Sequence, residues 1–295
     1  MIDYNPKEWL RYIFFFPKAD TVRKLGPLLI AIGIYTTLLA YLFIDYWKIG
    51  QDTDLKNISL IHSLLGFVIS LLLVFRTNTA YDRWWEGRKQ WGTLVNISRN
   101  LALKMNAFLA GEAHAPDRAF FKVMIPNFAF ALKNHLRKSY RPAEIEENAV
   151  FQRDQLDLSG HVPLQISSLM FNRALALQKK GVLLPEHLLA INYELDAFMN
   201  ICGACERIRN TPIPFSYSSF LKKFIFTYCV SMPLGYIFSL HYLVIPFVIF
   251  VFYILGSLEV IAEEIEDPFG NDANDLPTET ISKNIKISVQ QVLGE

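Results

Sequence analysis

Several groups of residues in this chain could carry chemistry. The densest is Glu263-Glu-Ile-Glu-Asp-Pro-Phe-Gly-Asn-Asp-Ala-Asn-Asp-Leu-Pro277. Its Asp267, Asp272 and Asp275 are hard oxygen donors of the kind calcium takes, and Gly270 permits a tight turn between them. The offsets of glycine and glutamate are not those of an EF-hand. The same run also reads as an acidic helix end closed by a capped turn, because Pro268 and Gly270 interrupt regular structure. Cys202-Gly-Ala-Cys205 has CxxC spacing. A zinc site wants two further ligands at matched spacing, and a redox pair wants a βαβ setting. The sequence displays neither, so two core cysteines on one helix is the preferred reading. With 3 cysteines in all, a disulfide framework is excluded. The 6 histidines are scattered and form no HExxH pair. No GxxxxGK[ST], GxGxxG or GxSxG motif occurs. His62 lies within an apolar run, where it could relay protons or simply bond a neighbour near the outer membrane end; the second is preferred. Asn57-Ile-Ser and Asn96-Ile-Ser match the glycosylation sequon, but the second falls in a segment read as cytoplasmic, so neither is taken as a modification site.

The elements that position these residues follow from hydropathy. The 295 residues are 52% hydrophobic with 23 Phe, and the mean hydropathy is +0.22. Clustered apolar runs at that hydropathy indicate a membrane protein. Lys plus Arg (29) and Asp plus Glu (28) nearly cancel, which argues against a nucleic-acid partner. The first ten residues contain acidic side chains and no small-residue cleavage site, so no secretion signal is read there. Residues 1–25 mix aromatic and basic side chains and predict a segment lying in the headgroup region.

The first span is predicted over Gly26–Ile44, closed by Asp45–Lys48, and the second from about Asn57 to Phe75. Ser59–Gly92 contains no proline, so one helix is expected to leave the bilayer and continue into water. Ser59, Ser63, Gly66 and Ser70 form a small polar stripe suited to close helix packing. Beside it, Phe67, Leu71 and Phe75 recur every four residues on one face, where they could meet lipid, other helices or a pore. A soluble helical insert follows up to Lys223. Within it Phe121, Met124, Phe128 and Leu132 predict an amphipathic helix over Arg118–Tyr140. Arg141–Val162 reads as loops and short turns, and two further helices are expected over Gln165–Lys180 and Pro185–Arg207. Thr211-Pro-Ile-Pro214 stops the last of these. Phe224–Leu258 is too long for one span and is read as a hairpin turning at Ser239-Leu-His241, with a kink at Pro233. The tail ends in a weakly amphipathic segment. The expected fold is therefore all-α: transmembrane helices 1 and 2 within 26–82, a helical domain over 83–218, transmembrane helices 3 and 4 within 219–262, and an acidic turn with a tail over 263–295. Charge placement puts both termini and the insert in the cytoplasm of a multi-pass membrane protein.

Arg76-Thr-Asn-Thr-Ala-Tyr-Asp-Arg-Trp-Trp-Glu-Gly-Arg-Lys-Gln-Trp-Gly92 resembles the segment after the second span of bestrophins, above all the bacterial branch. Glu266-Asp-Pro-Phe-Gly-Asn-Asp-Ala-Asn-Asp-Leu-Pro277 resembles the segment after their fourth span, and Cys202–Phe215 fits their approach to the third. The resemblance implies a homopentameric channel for small monovalent ions, in which five second spans line an apolar neck formed by Phe67, Leu71 and Phe75. It places a cytoplasmic aperture near Glu186 and aligns Asp267, Asp272 and Asp275 with a calcium clasp, although Ala273 and Asn274 stand where animal members have carboxylates. No other cofactor is implied. A ring of Glu186 side chains tilts the expectation toward cations, with an anion (chloride) channel close beside it. The partners implied are other copies of the chain, the lipid bilayer and the permeant ions. A membrane-anchored enzyme would need a catalytic set, and none is seen. A non-conducting scaffold or receptor would be recognised by a monomeric or dimeric mass.

Overall fold

The computed structural model describes residues 21–48, 58–139 and 141–294, and among them every regular element is helical. Most of the segment 1–25 and the whole loop 50–56 lie outside the described residues. Helix α1 spans Thr21–Tyr41 and passes directly into a single π turn, Leu42–Tyr46. Helix α2 runs unbroken from Ile58 to Phe108, 51 residues, or roughly 76 Å at 1.5 Å per residue. It extends well past Gly92 and crosses the expected domain boundary at residue 82 without a break. Helices α3 (Ala115–Leu136), α4 (Val162–Lys179) and α5 (Pro185–Asn210) pack together beside the second half of α2. Pro185 occupies the first position of α5, where a missing N–H costs nothing. Helix α6 (Phe215–Leu240) and α7 (Val244–Glu266) form the expected hairpin. Its corner is the short turn His241–Leu243, entered through a positive φ of 48° at His241. Pro233 lies inside α6. Helix α8 spans Thr278–Leu293.

Two separate apolar cores result. One gathers Ile32, Ile69, Leu73, Ile225, Met232, Val248 and Phe252 from α1, α2, α6 and α7. The other gathers Trp91, Leu94, Phe121, Phe128, Ile166, Phe198, Phe269 and Val289 from the second half of α2 and the remaining elements. Three stretches are long and apolar enough to cross a membrane by length and composition: Thr21–Tyr46, Ile58–Phe108 and Phe215–Glu266. The third is the α6–α7 hairpin, so each of its arms, at 26 and 23 residues, exceeds the ~20 residues one crossing requires.

Two sequence expectations need correction. Helix α3 is not amphipathic in the surface sense. Phe121, Met124, Phe128 and Leu132 are buried as expected, but so are Asn127, Lys133 and Asn134 on its other sides. These polar groups are neutralised internally: Lys133 pairs with Glu144 at 2.7 Å and with Glu279, and Asn127 donates to the Glu146 carbonyl at 2.8 Å. Helix α8 is strongly amphipathic, where a weakly amphipathic tail was expected. Thr278, Ser282, Ile285, Val289 and Leu293 form one buried stripe against α2 and α3. Two of those five are hydroxyl residues, and that dilutes the apolar signal.

Candidate functional site

Helix α2 is the rod against which α3, α5, α6, α7 and α8 all pack. Its buried positions His62, Ile69, Leu73, Arg76, Ala80, Gly87 and Trp91 recur at three, four and seven residues, a single stripe along the whole rod. Arg76 is buried at the foot of the apolar stretch. Its Nη2 lies 2.6 Å from Glu266, and its Nε lies 3.5 Å from Glu259, near enough for charge attraction. Two turns later Arg83 reaches three helix-end carbonyls: Glu266 at 3.0 Å, Ile208, and Thr211. A cation there sits at the C-terminal, negative ends of both α5 and α7. Glu86 takes the next turn and pairs with Arg207 at 2.7 Å. Farther along, Lys104 donates to the Ala190 carbonyl at 2.6 Å and to Glu194 at 2.7 Å, and Phe108 stacks on His187 at 4.1 Å. Thus α5 runs antiparallel to α2, with Asn210 toward the membrane half and Pro185 at the far end.

The acidic turn docks on the same rod. A methyl group on Gly87 would stand 3.1 Å from the Phe269 ring and 3.2 Å from Pro268, so only glycine admits the turn this closely. Trp84 Nε1 donates to the Asn274 carbonyl at 3.0 Å, and Arg137 donates to the Phe269 carbonyl at 3.2 Å. The turn is closed by Leu276 N–H to the Pro268 carbonyl at 2.9 Å. Asp267 and Asp275 converge over Gly270: a methyl there would lie 2.8 Å from Asp275 Oδ2 and 3.5 Å from Asp267 Oδ2. Asp272 enters differently, donating its backbone N–H to Asp275 Oδ2 at 2.5 Å. Asp275 is buried and its Oδ1 has no hydrogen-bond partner. Burial pushes its carboxyl up to about 7, opposed by the Asp272 N–H. Asn274, one of the departures from the animal pattern, donates to Glu264, which also pairs with Lys24.

The remaining predicted residues fall as follows. Phe67, Leu71 and Phe75 are 69%, 45% and 58% exposed, and at 100° per residue they stand opposite the stripe that α2 buries in its own chain. Glu186 is exposed in the first turn of α5, between exposed Leu184 and Leu189. These two leucines escaped the sequence reading, which had no motif to anchor the aperture. His62 is buried and bridges the Ile58 carbonyl at 2.9 Å and Ser231 Oγ at 3.0 Å, a bonded membrane histidine as expected. The small stripe packs closely at Gly66, whose added methyl would meet Tyr228 Oη at 2.8 Å. Ser63 and Ser70 instead bond their own helix and remain exposed. Cys202 and Cys205 are buried free thiols on α5.

Comparison with known proteins agrees with this arrangement. Residues 1–291 match the family described as Bacterial/Fungal Bestrophin protein. The chain is 32% identical over 298 residues to the voltage-dependent anion channel-forming protein YneE of Escherichia coli, covering 100% of this chain and 95% of that one. It is 35% identical over 260 residues to the voltage-dependent anion channel-forming protein sll1024 of Synechocystis, covering 86% and 83%. Among solved structures, a bacterial bestrophin homologue from Klebsiella pneumoniae carrying an L177T mutation superposes with a TM-score of 0.81 at 27% identity, over 92% of this chain and 100% of the other.

Proposed function

The chain belongs to the bacterial and fungal bestrophin family, whose members are ion channels rather than enzymes, and from that premise we propose that it is the subunit of a homopentameric channel for small monovalent ions. The observation that carries this reading is the outward apolar face of α2. Phe67, Leu71 and Phe75 point away from every element of their own chain that α2 packs against, within the three turns that lead to the buried Arg76 anchor on the opposite face. Five such faces around an axis make a narrow hydrophobic neck, which excludes water and holds back ions until it widens. Four crossings, α1, the first part of α2, α6 and α7, surround that neck, and the termini with the soluble core lie in the cytoplasm beneath the inner membrane. Glu186, Leu184 and Leu189, at the far end of α5, form the second constriction.

The names of the two bacterial relatives favour anions as the permeant species. Glu186 is the one feature that favours cations, since a ring of carboxylates attracts them. Reversal potentials of purified protein in a planar bilayer under asymmetric KCl separate the two. Anion conduction moves the reversal toward the chloride equilibrium potential; a shift toward the potassium potential assigns the selectivity to cations and to Glu186. No current at all in a correctly assembled protein would favour a scaffold.

The acidic turn fits a hard cation such as calcium in part. Asp267 and Asp275 would hold it, because their carboxylates already face one another over Gly270 and Asp275 Oδ1 is an unpartnered buried oxygen. Asp272 offers no ligand through this contact, because its backbone N–H donates to Asp275 Oδ2 and competes with an ion for that oxygen. Such an ion would add positive charge where the turn is clamped on α2.

A further inference from the structure

The ends of three soluble helices meet at a cluster that the channel reading does not use. His135 lies in the last turn of α3, His161 is the residue that caps the start of α4, and Glu206 stands on α5. Glu206 Oε1 accepts from His135 Nε2 at 2.6 Å and from His161 Nε2 at 2.9 Å. The two imidazole rings are 4.4 Å apart. One ligand atom from each of the three residues lies within 4.8 Å of the others. Cys202 is four residues before Glu206 and so shares its helix face, with Sγ 4.0 Å from His161 Nε2. All three of His135, His161 and Glu206 are partly exposed. His135 also lines a cavity of about 420 Å³ with Lys138, Ser159, Gly160 and Arg209, which gives an ion a way in.

Two imidazole nitrogens, a carboxylate oxygen and a thiol sulfur are the donor set of a borderline-soft dication, not of calcium or magnesium. Burial pushes Glu206 up, but hydrogen bonds from His161 and His135 outweigh it and hold the carboxyl below its usual range, so it is ionised. Tetrahedral ligands at about 2.0–2.3 Å from a metal stand about 3.3–3.6 Å from one another. The imidazole–carboxylate contacts must open by roughly half an ångström, and the His161–Cys202 distance must close by about as much. His135, His161 and Glu206 can adjust by side-chain rotation at partly exposed positions, and the buried Cys202 thiol has to turn toward them. We propose that His135, His161 and Glu206, with Cys202 as fourth ligand, form a site for a zinc-type divalent transition-metal ion that ties α3, α4 and α5 together. The site is independent of the channel reading and stands or falls apart from it.

Binding carries an internal cost that is itself a signature. His161 Nδ1 accepts from the Leu164 N–H at 3.1 Å, so its proton resides on Nε2. Coordination through Nε2 moves the proton to Nδ1 and breaks this cap. The Cys202 thiol, pushed up by burial to about 12, loses its proton to solvent on ligation.

The test uses the purified full-length assembly, stripped with chelator and titrated with ZnCl₂ by calorimetry. One zinc per chain is expected, with affinity lowered about 100-fold or more in His135→Gln and in Glu206→Gln, while Asp275→Asn in the acidic turn binds as the parent does. Zinc is expected to raise the Tm of the parent and of Asp275→Asn but of neither ligand variant. With Co²⁺ as probe, the parent shows a thiolate-to-cobalt charge-transfer band that Cys202→Ser lacks. Hydrogen exchange at the Leu164 amide speeds up on zinc addition as its cap is released. Should a variant fail to fold, the stoichiometry and cobalt spectrum of the parent decide alone. Absence of stoichiometric zinc, no thiolate band, or binding abolished only by Asp275→Asn would overturn the proposal.

Discussion

Arg76 is the residue whose loss the fold should feel most. It is buried, and it is the counter-charge for Glu266 at 2.6 Å and for Glu259 at 3.5 Å. Breaking a buried pair by removing one partner leaves an uncompensated charge, at a cost of about 3–5 kcal/mol. Arg76→Leu should therefore lower the Tm of the detergent-solubilised protein sharply, and adding Glu266→Gln to it should recover part of the loss. Equal Tm values for parent and Arg76→Leu would mean that the pairs contribute little. Asp275 makes a second, opposite kind of claim. Its carboxyl is pushed up to about 7 by burial, against an ordinary value of about 3.9 in an unfolded chain. Between those values the folded chain holds a proton that the unfolded chain has released. Stability contributed by this group is thus full at low pH and falls as pH rises through about 7. Asp275→Asn should flatten that limb of the Tm–pH curve, and parallel curves for parent and variant would contradict the assignment.

At the scale of elements, the decisive contact is the acidic turn against α2 at Gly87. Gly87→Val drives two methyl groups into Phe269 and Pro268. Overpacking of that kind costs about 1–3 kcal/mol. Hydrogen exchange of the Leu276 amide, which closes the turn on the Pro268 carbonyl, should rise accordingly; unchanged exchange would show that the turn is held from elsewhere. Much of this level could be read from the chain. The proline-free run after Ser59 announced a helix leaving the membrane, and Thr211-Pro-Ile-Pro214 announced the return. What could not be read was pairing between distant elements. Nothing in the local pattern says that Gly87 faces Phe269, or that Arg83 serves the ends of both α5 and α7. Polar burial hid more: Lys133 and Asn134 made α3 look one-sided, and Thr278 with Ser282 made α8 look weak. The His135, His161 and Glu206 cluster has no spacing signature at all, because its members come from three helices.

At the scale of the whole molecule, one chain leaves an apolar face of α2 uncovered and packs the other face into both of its own apolar cores. Phe67, Leu71 and Phe75, the proposed neck, form a four-residue repeat in the sequence, but periodicity cannot say whether such a face meets lipid or an axis. The structure adds that this face is opposite the packed one, which is the requirement for lining an axis shared between chains. An assembly of five should have a protein mass in detergent about five times the 34.0 kDa of one chain, measured by light scattering; a monomer or dimer would contradict it. The central claim is that Phe67, Leu71 and Phe75 form the barrier to ions. Its most direct measurement is single-channel current in planar bilayers, in symmetric salt, for the parent and for the triple variant Phe67→Ala, Leu71→Ala, Phe75→Ala. Widening and wetting the neck predicts a higher open probability and a conductance several-fold larger. Identical currents from the two proteins, at equal oligomeric mass, would contradict it.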